Sequence, residues 1–159
     1  TNNEVVRETV TSFGYLGVLI VAFIANLNVF VPVPPAIFTP IFEAAGLVLP
    51  LIIIYITIGT LLADLVGYFI GHLSKDLVKK QYPKTHRWFQ NLSENHQSLM
   101  TPAVILYAAF VPLPNEAVVI PLGMLNYPIR KLLLPLTLGS LVYHTIIAYG
   151  ANNVFKMFF

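Results

Sequence analysis

Three acidic side chains lie within or at the edge of apolar stretches of this 159-residue chain: Glu43, Asp64 and Glu116. A charged side chain in hydrocarbon costs on the order of a few kcal/mol, so such a residue marks a functional site by default. Glu116 follows the turn Pro112-Leu113-Pro114-Asn115. A carboxyl that gains and loses a proton there suits proton coupling, and one at a helix start equally suits capping of free N–H groups. Asp64 sits in the middle of an apolar run, and His144 lies 80 residues further on. An imidazole changes charge near neutral pH. Either side chain could instead hydrogen-bond broken backbone. Glu116, Asp64 and His144 are therefore the candidates for transport or proton coupling. Asn26, Asn28 and Glu43 are secondary polar candidates: amides beside a proline turn can satisfy freed backbone groups or touch cargo, and Glu43 is expected to be solvated near an interface.

Other chemistries find little support. The chain has no cysteine, and His72, His86, His96 and His144 have no metal-ligand spacing. No nucleophile elbow, P-loop or dinucleotide fingerprint occurs. Ser140 and His144 share a helical face, but no acid is placed to orient them as a catalytic pair. No enzyme activity, cofactor or metal is expected. A formal charge of +2 does not suggest a nucleic-acid partner.

The elements that must hold these residues read as membrane-embedded. The chain is 57% hydrophobic and 10% charged, against about 25% charged in a typical soluble domain. The amino-terminal stretch lacks the basic start and cleavage site of a secretory signal. Leu47–Gly71 and Leu132–Phe155 are each long and apolar enough to span a bilayer, which takes about 20 residues. Thr9–Phe42 carries no charge but is broken at Pro32, Pro34 and Pro35. Proline removes a backbone donor, and unsatisfied backbone at membrane depth survives only when buried in protein or lining a wet cavity. One reading is a helix, a loop and an interfacial helix. The other is a re-entrant hairpin that enters over Ser12–Val31 and returns over Ala36–Ala45.

Internal similarity favours the hairpin. "FVPVP" at Phe30–Pro34 returns as "FVPLP" at Phe110–Pro114, and "GTLLAD" at Gly59–Asp64 meets "GSLVYH" at Gly139–His144, both at an offset of 80 residues. Gly46 and Gly123 are paired as the glycines after the two turns, although their spacing differs by three residues. Proline-broken segments at matching places in two halves point to a transporter's central site. The expected fold is all-α. It consists of two inverted repeats, each a proline-turned hairpin plus a transmembrane helix, in one membrane domain over 1–159. Repeat one covers about 10–71, a cytoplasmic linker 72–98, and repeat two about 99–155. The turns are carried by Pro32, Pro34, Pro35, Pro112, Pro114 and Asn115.

Charge agrees with this topology. With both segments on one face, Lys75, Lys79, Lys80, Lys84, Arg87, Arg130 and Lys131 put seven of the nine basic residues there. The positive-inside rule makes that face cytoplasmic. Lys79, Lys80, Lys84, Arg87, Arg130 and Lys131 would face lipid headgroups, on two short interfacial helices or a solvated linker. Gly59, Ala63, Gly67 and Gly71 form a small-residue face for close helix packing, within the chain or in a homodimer.

"FVPLPNEAVVIPLGMLNYP" (Phe110–Pro128) and "GTLLADLVGYFIGHLSKD" (Gly59–Asp76) resemble the DedA family, also called the VTT or SNARE-associated Golgi-protein family, over roughly Leu16 to Tyr149. The resemblance implies re-entrant hairpins meeting near the membrane centre. It also implies lipid movement, including polyprenyl-phosphate recycling, phospholipid translocation and scrambling, in some members with proton dependence. Many bacterial members carry an acid two places after the first turn, where this chain has Ala36. Many carry arginines around the second, where it has Ala109 and Asn115. A bidentate guanidinium clamp on phosphate is thus missing from that site.

The expected function is a lipid translocase or scramblase for phospholipid or polyprenyl-phosphate-type lipids, with membrane lipids and protons as partners, in a prokaryotic cytoplasmic membrane. The alternatives are a small-molecule or ion transporter and a non-transporting scaffold.

Overall fold

The computed structural model describes residues 2–27, 33–81, 83–84, 87, 91 and 97–158. All regular structure among the described residues is helical. Helix α1 covers Asn2–Asn26, α2 Thr39–Ala44, α3 Leu49–Gln81, α4 Gln97–Phe110, α5 Glu116–Met124 and α6 Ile129–Phe158.

The proline-rich breaks have local causes. After α1, Pro34 is extended at φ −61° and ψ 117°, the conformation imposed on a residue that precedes proline. Pro35 then opens a single 3₁₀ turn over Pro35–Phe38, and Pro40 sits in the first turn of α2. Proline at a helix start costs no hydrogen bond, because the first N–H groups have no intrahelical partner. The break between α4 and α5 falls on Val111–Asn115, with α5 starting directly after Pro114-Asn115.

Both short helices end in the same way, 80 residues apart. Gly46 N–H donates to Glu43 O at 2.8 Å and Leu47 N–H to Phe42 O at 3.1 Å; Asn126 N–H donates to Gly123 O at 3.0 Å and Tyr127 N–H to Leu122 O at 3.0 Å. These paired bonds close a Schellman cap, which needs a left-handed residue. Gly46 (φ 89°) and Asn126 (φ 62°) supply it. The counterpart of Gly46 is therefore Asn126, at the same 80-residue offset as the proline turns, and not Gly123. Asparagine tolerates the left-handed region, so the second repeat does without the expected glycine.

The chain packs as two compact units, residues 1–60 with 141–159, and residues 61–140. In the first, Tyr15, Val18, Ala22, Ala36, Leu47, Ile52, Ile56 and Ala148 form the core. Tyr15 stacks on Tyr55 at 5.2 Å and accepts a bond from Val48 N–H at 2.9 Å. In the second, Tyr68, Val104, Ala108, Val119, Leu122, Tyr127, Leu132 and Leu136 do so. Tyr68 donates its hydroxyl to Tyr127 O at 2.7 Å, tying α3 to the cap after α5.

Glycines set the close approaches. A Cβ on Gly59 would lie 2.6 Å from Leu19 O, and one on Gly139 would lie 2.6 Å from Ala108 Cβ. A Cβ on Gly71 would collide with Ile120 O, and one on Gly123 with Tyr68 O. The small-residue face of α3 is thus used inside the chain, Gly59 against α1 and Gly71 against α5.

Outside, the helices are apolar. Phe13, Ile24, Leu73, Leu134 and Met157 are among many large hydrophobic residues left exposed. Exposure of apolar side chains on this scale marks a surface meant for something other than water. Among the described residues, α3 and α6 are the two helices long and apolar enough to cross a membrane. Helix α3 runs to Gln81, ten residues past the expected end of the span at Gly71, so Lys75, Lys79 and Lys80 lie on it rather than on a separate interfacial helix. The second stretch, Leu99–Ile129, is broken into α4, α5 and the start of α6 rather than forming one span.

Candidate functional site

Each unit buries polar side chains along its long helices. In the unit of residues 61–140, Asp64 on α3 is 2% exposed and Glu116, the first residue of α5, is 5% exposed. Asn115 lies directly before α5 and caps it with no side-chain bond to the helix. Its amide instead donates to Asp64 Oδ2 at 3.0 Å and to Ser140 Oγ at 3.3 Å. Both amide hydrogens are thereby committed to side chains, not to the freed backbone of the turn. Glu116 packs against α3 close to Asp64: its Cγ lies 3.4 Å from where a Cβ on Gly67 would stand. Tyr107 on α4 donates its hydroxyl to Pro114 O at 3.1 Å and holds the turn from the other arm. Asp64 Oδ1 and Glu116 Oε1 have no hydrogen-bond partner among the described residues.

In the other unit, Thr60 on α3 is the centre. Its hydroxyl donates to Ile56 O at 3.0 Å and accepts from the Asn26 amide at 3.0 Å. His144 Nε2 lies 3.0 Å from the same oxygen. With the one hydroxyl hydrogen on Ile56 O, Nε2 is the donor to Thr60, and in the neutral ring Nδ1 then holds the lone pair. Nδ1 has no partner among the described residues. Asn26 also bonds Ala22 O at 2.7 Å, so here the amide does satisfy backbone near the end of α1.

Glu43 departs from expectation. It is half-buried, and its carboxylate accepts a hydrogen bond from the Asn152 amide, which fixes the end of α2 to α6. Plain solvation is therefore wrong for this residue. Thr39 reinforces the same contact, donating to Ala36 O at 2.9 Å with Ala148 O at 3.5 Å.

The remaining expected residues divide as follows. Pro34, Pro35, Pro112 and Pro114 flank or form the breaks, while Pro32 and Asn28 lie outside the described residues. Lys79, Lys80, Lys84, Arg87, Arg130 and Lys131 are exposed. Sequence reading missed Thr60 and Asn152, and weighed Ser140 only as a partner of His144. Thr60 and Ser140 had a usable signal: each stands four residues before a candidate, Asp64 or His144, on the same helical face and at the 80-residue offset. Asn152 had none beyond being polar in an uncharged run.

The VTT-domain profile matches residues 31–152. This chain belongs to the VTT-domain family. That family consists of membrane proteins implicated in transport or lipid handling and is not a known enzyme class. Two curated relatives, both called alkaline phosphatase-like protein, come from Lactococcus lactis. The one from subsp. lactis strain IL1403 is 26% identical over 166 residues, covering 91% of this chain and 72% of the relative. The one from subsp. cremoris strain MG1363 is 25% identical over the same shares. No solved structure matches the chain.

Proposed function

We propose that the chain moves amphipathic lipids, phospholipid or polyprenyl-phosphate type, between the leaflets of a bilayer. The hairpins around Pro34-Pro35 and Pro112–Pro114 re-enter the membrane from opposite leaflets as inverted repeats and offer a headgroup a polar path, while its acyl chains stay in lipid. The observation that carries this reading is the Asp64–Asn115–Ser140 cluster: a mid-span acid bonded by a residue of a broken, proline-turned segment. Irregular backbone in a bilayer must be buried or line a cavity, and polar groups brought to such a break are where a transported headgroup can exchange its hydration for protein contacts. The matching Schellman caps 80 residues apart support the repeat. Asp64 and Glu116 tune the path by taking and releasing protons, and His144 serves the matching position of the other repeat. The exposed basic residues from Lys79 to Arg87, with Arg130 and Lys131, attract anionic headgroups on the cytoplasmic face, each contributing about 1 kcal/mol.

The test is movement of acyl-labelled fluorescent lipid in proteoliposomes holding the purified chain. Lipid crosses faster than in protein-free vesicles, and Asp64→Asn and Glu116→Gln each slow it at least tenfold, about 1.4 kcal/mol of barrier. Ion-coupled uptake of a soluble solute without lipid movement would replace this reading with a small-molecule transporter, and no transport of either kind would leave a scaffold.

A further inference from the structure

We propose that the second half of each long helix lines a route for water between the middle of the bilayer and one of its faces, along Asp64, Tyr68 and His72 on α3 and along His144, Ala148 and Asn152 on α6. Which face each route meets rests on the inverted arrangement proposed above. The routes themselves rest on the buried stripes of the two helices.

Each stripe changes character half-way. Every fourth residue of α3 from position 52 reads Ile52, Ile56, Thr60, Asp64, Tyr68, His72. The matching stripe on α6, 80 residues on, reads Leu132, Leu136, Ser140, His144, Ala148, Asn152. All twelve are buried except His72, which is half-buried. Both stripes are aliphatic for two places and then turn polar at the same place. Ala148 is the exception, and there the Thr39 hydroxyl of α2 stands 3.5 Å from the Ala148 carbonyl oxygen. A stripe that only packs helices together has no need of the change, because aliphatic side chains fill buried space with no polar atom to satisfy.

Five buried side-chain atoms have no partner among the described residues, and four of them fall on these stripes at two matched places. Asp64 Oδ1 corresponds to His144 Nδ1, and His72 Nδ1 to Asn152 Oδ1. Each bare atom costs about 1–3 kcal/mol. Accidental misfits of packing do not recur in step at two places, and water is the partner that removes such a cost. The places between and beside them carry hydrogen-bonding groups. On α3 the Tyr68 hydroxyl donates to Tyr127 O at 2.7 Å, and its ring stacks on His72 at 6.2 Å. On α6 the Asn152 amide donates to Glu43.

Each polar half ends at a lysine. Lys75 follows His72 by three residues and Lys156 follows Asn152 by four, and a lysine near the end of a span reaches for the headgroups. The eight-residue step from Asp64 to His72, or from His144 to Asn152, rises about 12 Å, close to half of the roughly 30 Å of hydrocarbon. With the two long helices running in opposite directions, the α3 route leads to the basic face and the α6 route to the other. The bare atoms are closed off from solvent in the described conformation, so these are paths that water takes when the packing opens, not standing pores.

Single cysteines in the cysteine-free chain test this in sealed vesicles, with a permanently charged methanethiosulfonate that does not cross the bilayer. The thiolate is the reacting form, and a thiol in apolar surroundings stays protonated. Tyr68→Cys and His72→Cys are expected to react at least about tenfold faster than Phe69→Cys, at a position exposed on the apolar outside, and than Ile56→Cys in the aliphatic half. Ala148→Cys and Asn152→Cys are expected to do the same against Tyr149→Cys and Leu136→Cys. The first pair reacts from the face that carries Lys80, the second from the opposite face. Ala148→Cys and His72→Cys decide the outcome should the other substitutions fail to fold. Stripe cysteines no faster than their controls overturn the routes, and so does reaction of all four from one face. Lipid movement by the unsubstituted chain is scored separately. Lipid that crosses while the stripe cysteines stay shielded ends this inference and leaves the transport reading standing; reactive stripe cysteines, each pair from its own face, with no lipid movement, do the reverse.

Discussion

Asn115 decides whether Asp64 can be buried. The amide supplies the described bond to Asp64 and reaches Ser140 with its second hydrogen. Replacing it with a side chain of similar size and no donor leaves the acid with a second bare oxygen. Asn115→Leu is expected to lower the unfolding free energy by about 1–3 kcal/mol, the cost of stranding a buried polar group, measured by thermal unfolding in detergent. Ser140→Ala removes a longer bond and is expected to cost less, about 0.5–1.5 kcal/mol. The acids were legible in the sequence, because a carboxyl in an apolar run is conspicuous. Their partners were not. Asn115 lies 51 positions from Asp64 along the chain, and no local pattern links an asparagine in a turn to an aspartate in a span. Glu43 was misread for the same reason, its partner Asn152 being 109 positions away.

The helices pack through glycines in some places and not in others, and chain position does not tell them apart. At Gly71 and Gly123 a methyl group would strike the backbone of the facing segment, while Gly17 and Gly150 have open space around the missing Cβ. Gly71→Ala and Gly123→Ala are therefore expected to destabilise the chain by about 1–3 kcal/mol, as overpacking does. Gly17→Ala and Gly150→Ala are expected to be neutral or stabilising by up to about 1 kcal/mol, since alanine favours helix. A thermal-shift series over the four variants checks the order. A reversed order would mean that these helices do not approach as described. The two long apolar helices and the broken stretches were legible, because charge-poor length and proline are local signals. The continuation of α3 to Gln81 was not: its polar last turns read as a linker, but helix propensity and continuity carry lysine and glutamine well beyond the apolar part.

For the chain as a whole, the proposed inverted topology makes a claim about sidedness. Because the chain has no cysteine, single cysteines introduced at Lys80 and at Arg130 report their side without background. Both are expected to label from the same face of sealed vesicles, the face that then carries the basic residues. Labelling from opposite faces would mean that α4 and α5 together cross the bilayer, and the case for re-entry would fall. Composition, hydropathy and motif by themselves pointed to an all-helical membrane protein resembling the VTT-domain family, with two stretches long and apolar enough to cross a bilayer and two proline breaks, because burying apolar surface and satisfying backbone bonds are demands each segment meets within itself. Only the tertiary structure decided which amides partner Asp64 and Glu43, and which buried polar atoms lack a partner among the described residues. Those are relations between groups brought together by packing, and no segment carries them alone.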